Sequence, residues 1–120
     1  MMSLLVNNFI RLADESIALV DVSDHSEELA GFENYRHSVF NSAAALELGL
    51  VMLPKLAFGD IYAEGRDIGI IRSEALVILK NIDIFATQIG VASGHLRLRM
   101  DNIVRACDRA DSPNCGVVIW

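Results

Sequence analysis

The chain has 120 residues, enough for one domain with a substantial core, so neither disulfides nor a metal is required merely to hold it together. Hydrophobic side chains make up 52% of it, a surplus for so small a domain that points to a self-associating surface. The net charge of −6 sets bulk electrostatics against a nucleic-acid partner.

The first segment places Leu5, Phe9, Leu12, Ser16 and Leu19 at steps of three and four, which predicts a helix over 3–21. Its start carries no basic n-region, and Arg11 and Asp14 interrupt the apolar run early, unlike a secretory signal. Residues 22–26 read as a connection. There Asp24, with Glu27 three residues on, has the form of a capping box, and Glu28 adds a further acid to the first turn.

A second helix is predicted over 25–58. Leu29, Phe32, Arg36, Val39, Ala43, Leu46, Leu50 and Leu53 hold a heptad spacing, and Pro54 ends the pattern. Its most apolar part, 38–53, contains Glu47 and falls short of the ~20 residues that span a bilayer, so no membrane insertion is expected.

A third helix is predicted over 67–91 from Ile68, Ile71, Ala75, Ile78, Ile82, Phe85 and Ile89. A second stripe, Ile70, Val77, Ile84 and Val91, suits a further neighbour. The fourth, over 95–110, carries Leu96, Met100, Ile103, Val104 and Cys107 on one side, with Ser93 and Gly94 as a break before it. Because the apolar phase runs on through Leu96 and Met100, one continuous helix in an intertwined dimer is the alternative. The tail, 111–120, ends in a β-prone Gly116-Val117-Val118-Ile119-Trp120 for which no partner strand is evident, so it is expected to pack as a tail. The expected fold is therefore all-α, a mainly antiparallel bundle of about four helices in one domain.

Few residues suggest chemistry. Glu47 is the only charge between Arg36 and Lys55, and Arg36 takes a core-facing heptad slot; a buried carboxylate or guanidinium needs a partner or a function. Glu33 and His37 share a helix edge by their spacing of four. These four residues define one reading, a small-ligand or enzymatic pocket around Glu47 and Arg36. No di-iron, zinc or phosphate-loop pattern is present, so no cofactor and no metal is expected. Cys107 and Cys115, without a secretory signal, suggest reduced thiols and a cytoplasmic protein, with a disulfide between them as the minor alternative.

Charge distribution says more than composition. Between Arg11 and Arg36 stand seven acids, Asp14, Glu15, Asp21, Asp24, Glu27, Glu28 and Glu33, with no Lys or Arg, whereas Arg97, Arg99, Arg105 and Arg109 dominate the last helix. The leading expectation is a non-catalytic interaction or regulatory protein, homo-oligomeric. Its acidic corner at Asp24, Glu27 and Glu28 would meet a basic protein such as a nuclease or toxin that it restrains. The basic last helix could instead satisfy that corner within the same oligomer.

Overall fold

The computed structural model describes residues 2–120, and it overturns the all-α expectation: the chain is an α/β domain with a five-stranded antiparallel sheet. Where a first helix over 3–21 was expected, strand β1 (Ser3–Arg11) turns back into β2 (Ile17–Val20). The expected helix over 25–58 is a series of short pieces. A 3-10 turn (His25–Glu28) leads into β3 (Leu29–Phe32), then α1 (Tyr35–Ser38), α2 (Ala43–Glu47) and a second 3-10 turn (Leu53–Ala57). Strand β4 (Ile61–Ala63) follows, then α3 (Arg66–Lys80), α4 (Ile82–Ile89), α5 (Ser93–Arg109) and β5 (Cys115–Ile119).

The sheet has four lanes. β2 and β3 share the lane on one side of β1, β5 lies on its other side, and β4 closes the far edge. The C-terminal segment is thus an interior strand, not a tail, and its missing partner was β1. Strand β1 is buried along Val6, Asn7, Asn8 and Phe9, with no alternation between faces. Helices cover one face, where Asn8 Nδ2 donates to the Ala106 carbonyl of α5 at 2.8 Å. The other face is closed by side chains: Phe9 meets Tyr62 edge-on with centroids 6.2 Å apart, Tyr62 meets Trp120 likewise, and Arg11 stacks over Phe9. Phe9 needs Gly116 opposite it, since a Cβ there would lie 2.2 Å from the ring.

Glycine explains why the second segment cannot be one helix. Gly31 has φ +121° and Gly49 has φ +85°, both outside helical space. The predicted stripe is consequently split: Leu50 and Leu53 are buried while Leu46 is exposed. Pro54 sits in the first turn of the second 3-10 helix, where its missing N–H costs nothing.

The continuous-helix alternative also fails. The chain breaks at Asn81 between α3 and α4, and again after Gly90, which ends α4 in the left-handed conformation. α5 then folds back along α3, and Arg72 near the start of α3 bonds Asp108 near the end of α5 at 2.7 Å. One chain therefore closes its own core without exchanging a helix. Among the described residues no helix is long and apolar enough to cross a membrane.

One buried carboxylate organises the middle of the chain. Glu74 of α3, only 6% exposed, accepts the backbone N–H groups of Val51 (2.8 Å), Met52 (2.9 Å) and Leu53 (2.8 Å). It satisfies the donors that open the second 3-10 turn, as an N-cap side chain does, but from another element. Glu74→Gln keeps the shape and replaces one acceptor oxygen with a donor facing N–H groups. It should cost about 2–3 kcal/mol in urea denaturation, and Glu74→Ala more. A loss below about 0.5 kcal/mol would refute this role for the carboxylate.

Candidate functional site

The β1–β2 hairpin is built by a turn with none of the usual glycine, proline or asparagine. Glu15 adopts φ +72°, and Asp14 accepts from both the N–H and the hydroxyl of Ser16, closing the loop with its side chain. Those hydrogen bonds hold the Asp14 carboxyl below its ordinary range, so the tip stays charged. Arg11 braces the base, donating to the Glu15 carbonyl at 2.6 Å and through two nitrogens to Glu64 at 3.2 and 2.8 Å.

This hairpin extends past the helical layer. In β2, Ala18, Leu19 and Val20 are exposed and Ile17 is half-buried, while Ile10 and Leu12 beside them are 40% and 45% exposed. Alternation puts Ile17 and Leu19 on one face and Ala18 and Val20 on the other, so both faces are apolar and wet. Among the described residues β2 pairs only with β1, leaving its outer row of N–H and C=O groups open. Asp14 and Glu15 stand at one end of this strand, Asp21 and Asp24 at the other. Among the described residues, none of these four carboxylates lies within ion-pair distance of a Lys or Arg.

Three residues were singled out as the partner-facing corner, and the fold treats them differently. Asp24 is exposed and accepts from the N–H of Ser26 (3.0 Å) and its hydroxyl (2.7 Å), bonds that lower its carboxyl pKa. Glu27 lies 3.8 Å from Arg105 and 3.7 Å from Arg109 of α5. Glu28 accepts from Asn7 at 2.5 Å and pairs with His25 at 2.8 Å, which raises the His25 pKa. The basic last helix does meet the acidic corner, then, but within one chain.

Beneath that corner runs a polar seam that hydrophobic periodicity could not reveal. Asn8 donates to the carbonyls of Ala106 (2.8 Å) and Gly116 (3.3 Å) and accepts from Arg109 Nε at 3.0 Å. Asn102 of α5 donates to the carbonyls of Ser26 (2.9 Å) and Leu29 (2.8 Å). Trp120 Nε1 donates to Asn7 at 2.8 Å. The signal was there: two adjacent amides inside an apolar run are costly unless the fold pairs them.

Of the proposed pocket set, the structure joins two members. Arg36 donates to Glu33, to Asp60 (2.6 Å) and to the carbonyls of Leu56 (3.1 Å) and Gly59 (2.9 Å), clamping α1 to the approach of β4. His37 is exposed on α1. Glu47 is exposed too, beside a small groove of about 270 Å³ with Gln88 and Ile89, and no hydrogen bond or ion pair links it to Arg36. Among the described residues no three His, Cys, Asp or Glu side chains converge as a metal would need.

A different, larger cavity of about 580 Å³ opens between the β3–α1 corner and the first turn of α5. Phe32, Tyr35, Val91, Ala92 and His95 line it. Comparisons with protein-family models, with curated proteins and with solved structures find no match to this chain.

Both cysteines are free thiols. Cys107 is buried, which pushes its pKa up to about 11, whereas Cys115 is half-buried beside the Ser112 hydroxyl at 3.0 Å. Iodoacetamide at pH 8 should therefore label one cysteine in the native protein and two after denaturation. Intact mass would show this, and rapid double labelling of the folded chain would contradict the burial argument.

Proposed function

We propose that the protein is a non-catalytic interaction module that captures a basic protein by adding one of its extended segments to the open edge of β2. The observation that carries this reading is an apolar, two-faced edge strand bracketed at both ends by exposed acids, none within ion-pair distance of a Lys or Arg among the described residues. Strand addition would satisfy the open backbone row, and side chains on either face would set selectivity. The flanking acids would steer and register a partner that is apolar in the middle and basic at its ends.

Charge also discriminates against a second copy at this edge. Antiparallel pairing of two β2 strands through a dyad between Ala18 and Leu19 would set Asp21 of one against Ser16 of the other, with Glu15 adjacent. Like charges would then crowd both ends of the joint. Self-association, where it occurs, belongs on another surface, and Phe58 (86% exposed) and Ile84 (68%) are apolar residues elsewhere for it. Two free thiols suit a reducing compartment such as the cytoplasm.

The test uses a fluorescein-labelled peptide of alternating Val and Thr with two lysines at each end, beside the same core flanked by glutamates. The four exposed charges should together favour the lysine peptide by about ten-fold in fluorescence anisotropy at low salt. Amide shifts should concentrate at Ile17, Ala18, Leu19 and Val20. The variant Asp14→Asn, Glu15→Lys, Asp21→Lys, Asp24→Asn keeps both side-chain turns and should remove the preference. Equal binding of the two peptides, or shifts elsewhere, would defeat the proposal.

A further inference from the structure

Asn102 draws the first 3-10 turn and the start of β3 onto α5, since its amide donates to the Ser26 and Leu29 carbonyls at 2.9 and 2.8 Å. Between turn and helix lies a cleft of about 320 Å³, at the small end of the roughly 300–1,000 Å³ of ordinary ligand sites. Asp24 and Glu27 line it from the turn side. Leu98, Arg99 and Arg105 line it from α5, with buried Asn102 between the two arginines. Acids thus stand on one wall and bases on the other, and their charges sum to zero.

These charges are only partly spent on one another. Glu27 stands 3.8 Å from Arg105 and 3.7 Å from Arg109, so its charge is answered within the fold. Asp24 accepts both of its Ser26 hydrogen bonds through Oδ1, and its Oδ2 has no donor among the described residues. Those bonds, the hydroxyl's first, keep this carboxyl below its ordinary range and therefore ionised. Arg99 is half-buried, yet among the described residues its guanidinium makes no hydrogen bond and no ion pair. Arg66 and Arg97 lack partners too, but both are exposed to water. A guanidinium partly withdrawn from water without an acceptor loses solvation that nothing in the chain returns.

We infer that this cleft binds a zwitterion of amino-acid size, its carboxylate on the Arg99 guanidinium, its ammonium on the Asp24 carboxylate and an aliphatic side chain against Leu98. A planar guanidinium meets a carboxylate through two parallel N–H donors, and an ammonium brings three donors to the open Asp24 oxygen. Leu98, 59% exposed, supplies the apolar contact. A simple anion would meet Asp24 and Glu27, and a simple cation would meet Arg99 and Arg105. Only a ligand carrying both charges satisfies both walls. The site shares Asp24 with the flank of β2 but needs neither that strand nor a protein partner, so it is independent of the strand-addition reading.

The probe is L-leucine, set beside leucinamide, which keeps only the ammonium, and N-acetylleucine, which keeps only the carboxylate. In amide chemical-shift titrations of the full chain at low salt, leucine should bind about ten-fold tighter than either twin. The shifts should fall on residues 24–27 and 98–105, which frame the cleft. Arg99→Gln should remove the preference for leucine over leucinamide at an unchanged thermal unfolding midpoint, because it breaks no bond within the chain. Asp24→Asn keeps an oxygen for the Ser26 turn and should remove the preference over N-acetylleucine. Each variant erases one preference and leaves the other, a split that loss of folding could not produce. Equal affinity for the three ligands, no saturable shift, shifts confined to other residues, or variants that keep both preferences would each overturn the site.

Discussion

The antiparallel ladder between β1 and β5 joins residues 6–10 to residues 115–119, the two ends of the chain, and every other element is placed by it. Once β5 occupies one side of β1, the remaining side must be covered by β2 and β3, which therefore share a lane. The gap between those two strands is where the residues of the acidic corner leave the sheet. On the helical face, α5 is held to the same ladder through Asn8, whose amide reaches the Ala106 carbonyl of α5 and the Gly116 carbonyl of β5. Such a pairing closes a loop of nearly the whole chain, an entropic cost that local contacts cannot offset, so helices and ladder must consolidate together.

That dependence explains which parts of the fold could be read from the sequence. The apolar stripe Ile71, Ala75, Ile78, Ile82 and Phe85 is a buried face of α3 and α4, because a helix on one side of a sheet keeps a one-sided pattern. β1 carries a misleading version of it, since Leu5, Phe9 and Leu12 fall at steps of three and four although the segment is a strand. Helices bury one of its faces and an aromatic layer buries the other, so apolar residues stand on both faces without the alternation that would separate a strand from a helix. Its hairpin was equally hidden, since an aspartate side chain and a positive-φ glutamate do the work usually left to Gly or Asn. With β1 misread, β5 lost its partner and looked like a tail. Glu74 escaped notice for the opposite reason: on a helical wheel it is an ordinary polar position, and only the tertiary fold brings three backbone donors to it.

The candidate sites divide along the same line between local and long-range information. The sequence run of seven acids was legible, yet its meaning depends on partners far along the chain. Arg105 and Arg109 come to Glu27, and Asn7 comes to Glu28, which spends those charges on the fold itself. Asp14, Glu15, Asp21 and Asp24 remain, and they are the ones that flank an exposed strand. Arg36 shows the converse. Its polar character at an apolar heptad slot was a sound signal of a buried pairing, and the structure spends that pairing on Glu33, Asp60 and two carbonyls.

Electrostatics then separates the two surfaces left open. The hairpin edge concentrates negative charge around apolar side chains. No Asp or Glu lines the cavity beside α5, whose polar side chains are those of Asn34, Tyr35, Ser38 and His95. The acid-rich first third supplies one surface, while the other lies where Gly31 lets Tyr35 settle against an uncapped helix start. The exposed edge is an arrangement that folding alone does not require, since a charged or shortened β2 would protect it. The open edge is the ground on which the hairpin is proposed as a recognition surface.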